Sequence, residues 1–489
     1  MALQEQQGRK EKQQHHAVAL AFPTSGHVNP VIRFCKLLVK LHGFAVTFVD
    51  LRPVPEGSQA LPHTSMATPS SAGDEQQSVP LFRRVQIPIA GVSDLFNISF
   101  QSLFEKTASV GPDLERLIVS LNDQGRPVTC IVASFNATFT VQSVADKLHI
   151  PFVALYPCAA SRLLFTHYLS RDDPISLQSV IEAHSPTKDR EDVFCRGLPG
   201  LPTLFNKDVP HFKHVKDETR DLWELIIRIW KACSAKAHAV AINTVQDLEE
   251  TTCRALADAC DVPIYDVGFW MEDLSDDIAI SSWKEDKSCI PWLDQQPNAS
   301  VLYISFGSLT LLSQAEFHAF IDGVISSKQR FLWVLRPDLV KDIDYSVMVM
   351  DIMEKSEGKG LVIEWAPQLQ VLAHPSVGGF LTHCGWNSTS ESIAFGVPML
   401  CWPYFSDQLL NARYIVDEWK VGFELDTKKE EGSGLKSQEI ETAIWAFMEG
   451  EEGKIVRKNA QKLKEKASCC LLENGPSYMK LKALVDSLK

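Results

Sequence analysis

Two stretches of this sequence place polar residues with the types and spacing that chemistry needs. The denser one is WAPQLQVLAHPSVGGFLTHCGWNSTSESIAFGVPMLCWPYFSDQ, residues 365–408. Within it an apolar run from Gly379 to Thr382 breaks into HCGWNS and opens at once into a helical pattern. The first N–H groups of a helix lack intrahelical acceptors and its N-terminal end carries partial positive charge, so this junction is an anion site. His383, Asn387 and Ser388 stand where a diphosphate would lie. Glu391 follows Asn387 by four residues, on the same face one turn on, where a carboxylate can accept from a ribose diol. Trp365 offers a flat face on which a nucleobase can stack, and Asp407 with Gln408 can meet sugar hydroxyls.

The second stretch is SGHVNP, residues 25–30, separated from the apolar run AVALAF only by Pro23 and Thr24. His27 thus falls at the carboxyl edge of a strand, where α/β proteins place ligands. Imidazole titrates near neutrality and can take a proton from an attacking hydroxyl; the competing reading is a residue that merely caps a helix near Asn29. Asp342-Ile343-Asp344 has the letters of a DxD metal site, but three-letter patterns arise by chance in polar loops and no metal is implied.

These residues need a scaffold with two sheets. AVALAF, FAVTFVD, VTCIVAS, PFVALY and AVAINT read as buried parallel strands of a first doubly wound α/β domain, with PVIRFCKLLVKLHG as a helix closed by Gly43. SVLYISF, RFLWVLR, GLVIEW, VGGFLTH and VPMLCWP alternate with helical segments and form a second one. At 489 residues the chain exceeds what one core accommodates, which agrees with two domains and a cleft between them. The boundaries expected are a tail over 1–16, a first domain over 17–268, a linker over 269–288, a second domain over 289–470 and a terminal helix over 471–489. Residues 52–79 and 171–195 read as irregular surface insertions.

Charge and composition exclude other classes. A net charge of −13 argues against nucleic acid, which needs clustered Lys and Arg. No apolar run approaches a membrane span, and the polar start lacks the apolar core of a secretory signal, so a cytoplasmic, monomeric protein is expected. The 12 cysteines include no CxxC pair and read as reduced thiols. The His15-His16 pair is too little for a metal site.

The 365–408 block resembles the plant secondary product glycosyltransferase box of the UDP-dependent family-one glycosyltransferases. SCIPWLDQQPNASVLYISFGSL, INTVQDLE, GLPGLP and SGHVNP are similar to further landmarks of that family, so the resemblance runs over nearly the whole chain from Ala17. One landmark differs, Gly268-Phe269 standing where the family has Gly-Pro. The resemblance implies the GT-B fold, two facing Rossmann-like domains with doubly wound parallel sheets and the UDP-sugar held mainly by the second. It implies that Trp365 stacks on uracil, Ala366 meets uracil through its main chain, and Gln368 and Glu391 contact ribose. Ser308, His383, Trp386 through its main chain, Asn387 and Ser388 would approach the diphosphate, and Asp407 and Gln408 the sugar. A terminal Gln in the box accompanies glucose, so UDP-glucose is the expected co-substrate, with no other cofactor. His27 is then the base of an inverting transfer.

One departure bears on mechanism. The family carries an Asp after the strand corresponding to VTCIVAS, and its carboxylate orients the histidine as in a catalytic triad. This chain continues CIVASFNATF, with Ser134 at the expected position and Asn136 two residues on. Three explanations stand: Ser134 or Asn136 orients His27 through a neutral hydrogen bond, Asp94 reaches in from a loop, or turnover is impaired. Without the carboxylate His27 is a weaker base. Phenols, with pKa about 10, are then better acceptors than alcohols, for which water at about 15.7 is the stand-in. The expected activity is glucosylation of a phenolic, flavonoid-like hydroxyl. The alternatives are attack by a ring carbon, or a degenerate protein that binds UDP-sugar or phenolics with little turnover. Phe96, Phe100, Phe165, Tyr404 and Phe405 are candidates for an apolar acceptor pocket, and equally for core.

Overall fold

The computed structural model describes residues 15–52, 81–89, 92, 98–212, 218–271, 285–341, 343–425 and 436–488. Most of the expected tail (1–16) and of the 52–79 insertion, Asp94, Phe96, Asp342 and much of the expected linker (269–288) lie outside the described residues.

Strands with no polar alternation are covered on both faces, and that is how the first sheet is built. β1 (His16–Leu20), β2 (Ala45–Asp50), β3 (Phe82–Gln86), β4 (Cys130–Ser134) and β5 (Phe152–Tyr156) form it with two later strands. β6 (Val193–Cys195) and β7 (Leu204–Phe205) make a separate antiparallel hairpin, and β8 (Ala239–Ile242) and β9 (Ile264–Asp266) return to the main sheet. Its order is β3-β2-β1-β4-β5-β8-β9, all pairs parallel. Order reverses beside β1, between strands running to opposite sides, and the loops after β1 and β4 flank the resulting crevice.

The second sheet contains β10 (Val301–Ser305), β11 (Arg330–Val334), β12 (Gly360–Ile363), β13 (Val377–Thr382), β14 (Met399–Cys401) and β15 (Gly422–Glu424). Its order is β12-β11-β10-β13-β14-β15, again parallel throughout, so β10 and β13 sit side by side at its own reversal. The chain's last helix, Pro476–Ser487, returns to the first domain: Leu481, Leu484 and Val485 share a core with Val46 and Phe48 of β2, and Lys480 pairs with Asp266 of β9 at 2.5 Å.

Several elements differ from the sequence reading. His16, assigned to the tail, opens β1 opposite Ala45. The helix expected from Pro30 begins at Ser25, so SGHVNP is its first turn and a half rather than a preceding turn. Residues 171–195 contain a short helix, Leu177–Glu182, capped by Ser176, and then β6. β3 was not foreseen because it is polar and β9 because it is only three residues long; β3, sequence FRRVQ, lies at the sheet edge, where charged side chains are tolerated and Arg84 pairs with Asp50. Asp344 of the DxD letters accepts the Ser346 N–H at 2.8 Å, capping the helix Tyr345–Lys355. Among the described residues no helix is long and apolar enough to cross a membrane, and all 12 cysteines are free.

Candidate active site

The helix Ser25–His42 explains how the domains meet at the site. Pro30 has no N–H, so the carbonyl of Gly26 four residues back loses its intrahelical donor. Asn387 Nδ2, from the helix Trp386–Phe395 of the second domain, donates to that oxygen at 3.2 Å. Beside it Arg33 Nη1 pairs with Glu391 Oε1 at 2.6 Å, both side chains nearly buried. Trp386 closes the same joint from below, its indole N–H donating to the Asn243 carbonyl at 2.8 Å. The two helix N-termini therefore face one cleft of about 610 Å³.

His27, Ser308, Trp365, Ala366, Gln368, His383, Trp386, Asn387, Ser388, Glu391, Asp407 and Gln408 all line it. Of the residues expected from sequence, Ser134 stays out. Its buried hydroxyl accepts the Phe22 N–H at 2.8 Å, tying β4 to the segment that leads into His27. The residue that reaches His27 is Asn136, in the 3-10 turn Phe135–Ala137, with its Nδ2 3.0 Å from His27 Nε2. Burial in the cleft wall pushes the His27 imidazole down to about 4, so it is neutral at pH 7. His27 Nδ1 has no hydrogen-bond partner.

The second-domain side is preorganised. Gln368 Nε2 donates to Glu391 Oε2 at 2.7 Å and to Ser388 Oγ at 3.1 Å, while Tyr303 O–H donates to Gln368 Oε1 at 3.0 Å. Glu391 is thus held from two sides, and with about four lone-pair positions its carboxylate retains capacity for a diol. Gln408 Oε1 accepts from the Tyr404 and Phe405 N–H groups at 2.9 and 3.1 Å, which leaves Nε2 as a donor. Asn411 Nδ2 donates to Asp407 Oδ2 at 2.9 Å; burial raises the Asp407 carboxyl.

His383 is packed between two glycines for a steric reason. A Cβ on Gly307, whose φ is +72°, would come within 2.4 Å of its Nε2, and one on Gly385 within 2.5 Å. Burial, with the Arg336 cation adding, pushes this imidazole down to about 4, so it offers a neutral N–H. Arg336 itself is buried and donates to the carbonyls of Gly307 and Thr310, fixing the loop that closes over His383. Gly385→Ala is accordingly expected to displace His383 and weaken UDP binding about 10- to 100-fold, the worth of a hydrogen bond to a charged group. Calorimetric titration with UDP checks this; unchanged affinity would show that His383 does not hold the diphosphate.

Arg33 and Arg336 were not singled out by sequence, whereas Asn136 was weighed beside Ser134 as the residue that orients His27. The available signal was charge in an apolar setting: Arg33 interrupts the buried face of VIRFCKLL, and Arg336 ends the run RFLWVLR. On the first-domain side Phe100, Phe104, Phe135, Tyr156 and Phe212 make the cleft aromatic. Of the sequence candidates, Phe100 and Phe405 line it, whereas Phe165 is core against Trp223 and Tyr404 packs on Trp402.

Comparison with known proteins gives a consistent picture. Residues 233–465 match the family described as UDP-glucoronosyl and UDP-glucosyl transferase. A 7-deoxyloganetin glucosyltransferase of Gardenia jasminoides is 31% identical, over 97% of this chain and 98% of its own. An (R)-mandelonitrile beta-glucosyltransferase of Prunus dulcis is 32% identical, over 98% of each. Among solved structures, a UDP-glucosyltransferase of Polygonum tinctorium capable of glucosylating indoxyl, in complex with 3,4-dichloroaniline, has a TM-score of 0.77 at 30% identity, over 97% of this chain and 99% of that one.

Proposed function

This chain belongs to the plant UDP-glycosyltransferases of GT-B fold, and from that premise we propose that it transfers glucose from UDP-glucose, with inversion, to a phenolic hydroxyl of a small acceptor. The UDP-sugar is its co-substrate. The observation that carries the finer reading is the pair His27 and Asn136, standing opposite the donor residues in one cleft.

A base needs its lone pair toward the acceptor hydroxyl and its proton on the other nitrogen. With the Asn136 amide nitrogen at Nε2, that nitrogen's lone pair is occupied. A half-turn of the amide puts the oxygen there instead, to accept from Nε2–H. Nδ1, buried and without a partner, is then the nitrogen with a free lone pair, and it serves as the base once the ring turns it toward the cleft. The hydroxyl oxygen attacks the anomeric carbon as His27 takes its proton and the bond to UDP breaks. Gln408 Nε2 and the Asp407 carboxylate suit the sugar hydroxyls, and the neutral His383 N–H with the helix N-terminus suits the departing diphosphate.

A neutral partner for His27 and a pKa depressed to about 4 together describe a weak base, which favours acceptors that ionise easily. The aromatic acceptor side points the same way. Incubating the purified protein, without added metal, with UDP-glucose and matched phenols and alkanols tests this by UDP release and product mass. Hexosylated phenol formed about tenfold or more faster than hexosylated alkanol is the expected result. Equal rates would remove the phenolic preference. UDP binding without product from any acceptor would favour the degenerate reading.

A further inference from the structure

Arg162 sits where a cation is least expected. It occupies the first turn of the helix Ala160–Arg171, the end that already carries partial positive charge. That end has its own counter-charge: the Glu249 carboxylate accepts from the Ala160 and Ser161 N–H groups at 2.9 and 2.8 Å and from the Thr244 hydroxyl at 2.7 Å, so it is spent on the helix cap. Arg162 is only 4% exposed, and it lines the cleft. Its guanidinium lies 4.3 Å from the Trp223 ring centroid, and Nη1 donates to the Thr166 hydroxyl. Among the described residues no carboxylate forms an ion pair with it; Asp407 acts on it only through space.

A guanidinium has five N–H donors in a planar fork that matches a carboxylate, and burying it without an anion is costly. Arg162 lines the cleft, and an anion bound there can reach it. We propose that Arg162 binds a carboxylate carried by the acceptor, so that the preferred substrates are hydroxylated aromatic acids. This rests on the transferase reading of the cleft and adds a substrate class to it. The aromatic walls take the ring, Arg162 takes the acid group, and the hydroxyl is left for His27. A bound carboxylate is also withheld from attack, which directs transfer to the phenolic oxygen.

The test compares a hydroxycinnamate with its methyl ester as acceptors for the wild type, Arg162→Met and Arg162→Lys, with kcat/KM and with calorimetric titration of each acceptor in the presence of UDP. The wild type is expected to prefer the acid, and Arg162→Met to lose about 10- to 100-fold on the acid alone, with Arg162→Lys retaining part of the preference. Equal handling of acid and ester by the wild type, or a parallel loss on both in Arg162→Met, overturns the proposal and leaves Arg162 as packing on Trp223. An arm with UDP-glucuronate in place of UDP-glucose separates the other source of the same chemistry: a loss in Arg162→Met confined to that donor puts the carboxylate on the sugar and overturns the acceptor assignment. The titration reads Arg162 independently of turnover, so absence of product would sink the transferase reading without deciding this one.

Discussion

His27→Ala is expected to lower kcat by about 10²- to 10⁴-fold, the usual worth of a positioned general base, with UDP affinity unchanged. The separation follows from the layout. His27 belongs to the first-domain helix Ser25–His42, whereas Trp365, Gln368, His383, Ser388 and Glu391 belong to the second domain, where Gln368 bonds Ser388 and Glu391 without it. The fold should tolerate the change: the His27 ring meets Phe22 edge-on, at 5.7 Å between centroids, and among the described residues its one side-chain hydrogen bond is to Asn136. Steady-state kinetics on a phenolic acceptor beside a UDP titration check both halves. A small loss of kcat would mean that proton removal is not what His27 contributes, as for an acceptor that binds already ionised. A matching loss of UDP affinity would mean that the substitution had opened the joint at Gly26 and Asn387.

How much of this was legible in the sequence depended on the range over which each residue is determined. β1, β4, β10 and β13 are apolar but for an end residue because both their faces are covered, and a run of that kind can be read without knowing what covers it. The box from Trp365 to Gln408 was legible because half of its site residues, from His383 to Glu391, lie along one strand-to-helix passage, so their relative positions are local. The helix start at Ser25 was missed because Pro30 reads as a breaker; the carbonyl it strands is answered by Asn387, 361 positions away in sequence. Arg33 with Glu391, and Arg162 over Trp223, are pairings of the same long-range kind. Ser134 and Asn136 show the limit most clearly. Both follow β4 and both are small and polar, and only the turn at Phe135–Ala137 decides that one faces Phe22 and the other His27.

That turn makes Asn136→Asp the most informative single substitution. A carboxylate in place of the amide, about 3.0 Å from the ring, favours the imidazolium, and an opposite charge at such range moves a pKa by about 1 to 3 units. The His27 pKa, now held to about 4 by burial, should therefore rise toward neutrality. The sign fixes two consequences. Below its pKa the base is protonated and idle, so the acid limb of kcat/KM, expected near 4 in the wild type, moves up by a similar amount and the variant is the slower enzyme in mild acid. Above that limb the variant holds the stronger base, with its imidazolium stabilised as the proton arrives. It should be the faster enzyme there, most of all on alkanols, where proton removal is hardest. The opposite change, Asp to Asn behind a catalytic histidine, costs about 10⁴-fold in a serine protease, which bounds the possible gain from above. The pH profiles of the two proteins are thus expected to cross. If the acid limb stays where it was and alkanol rates do not rise, Asn136 is not what orients His27 during turnover.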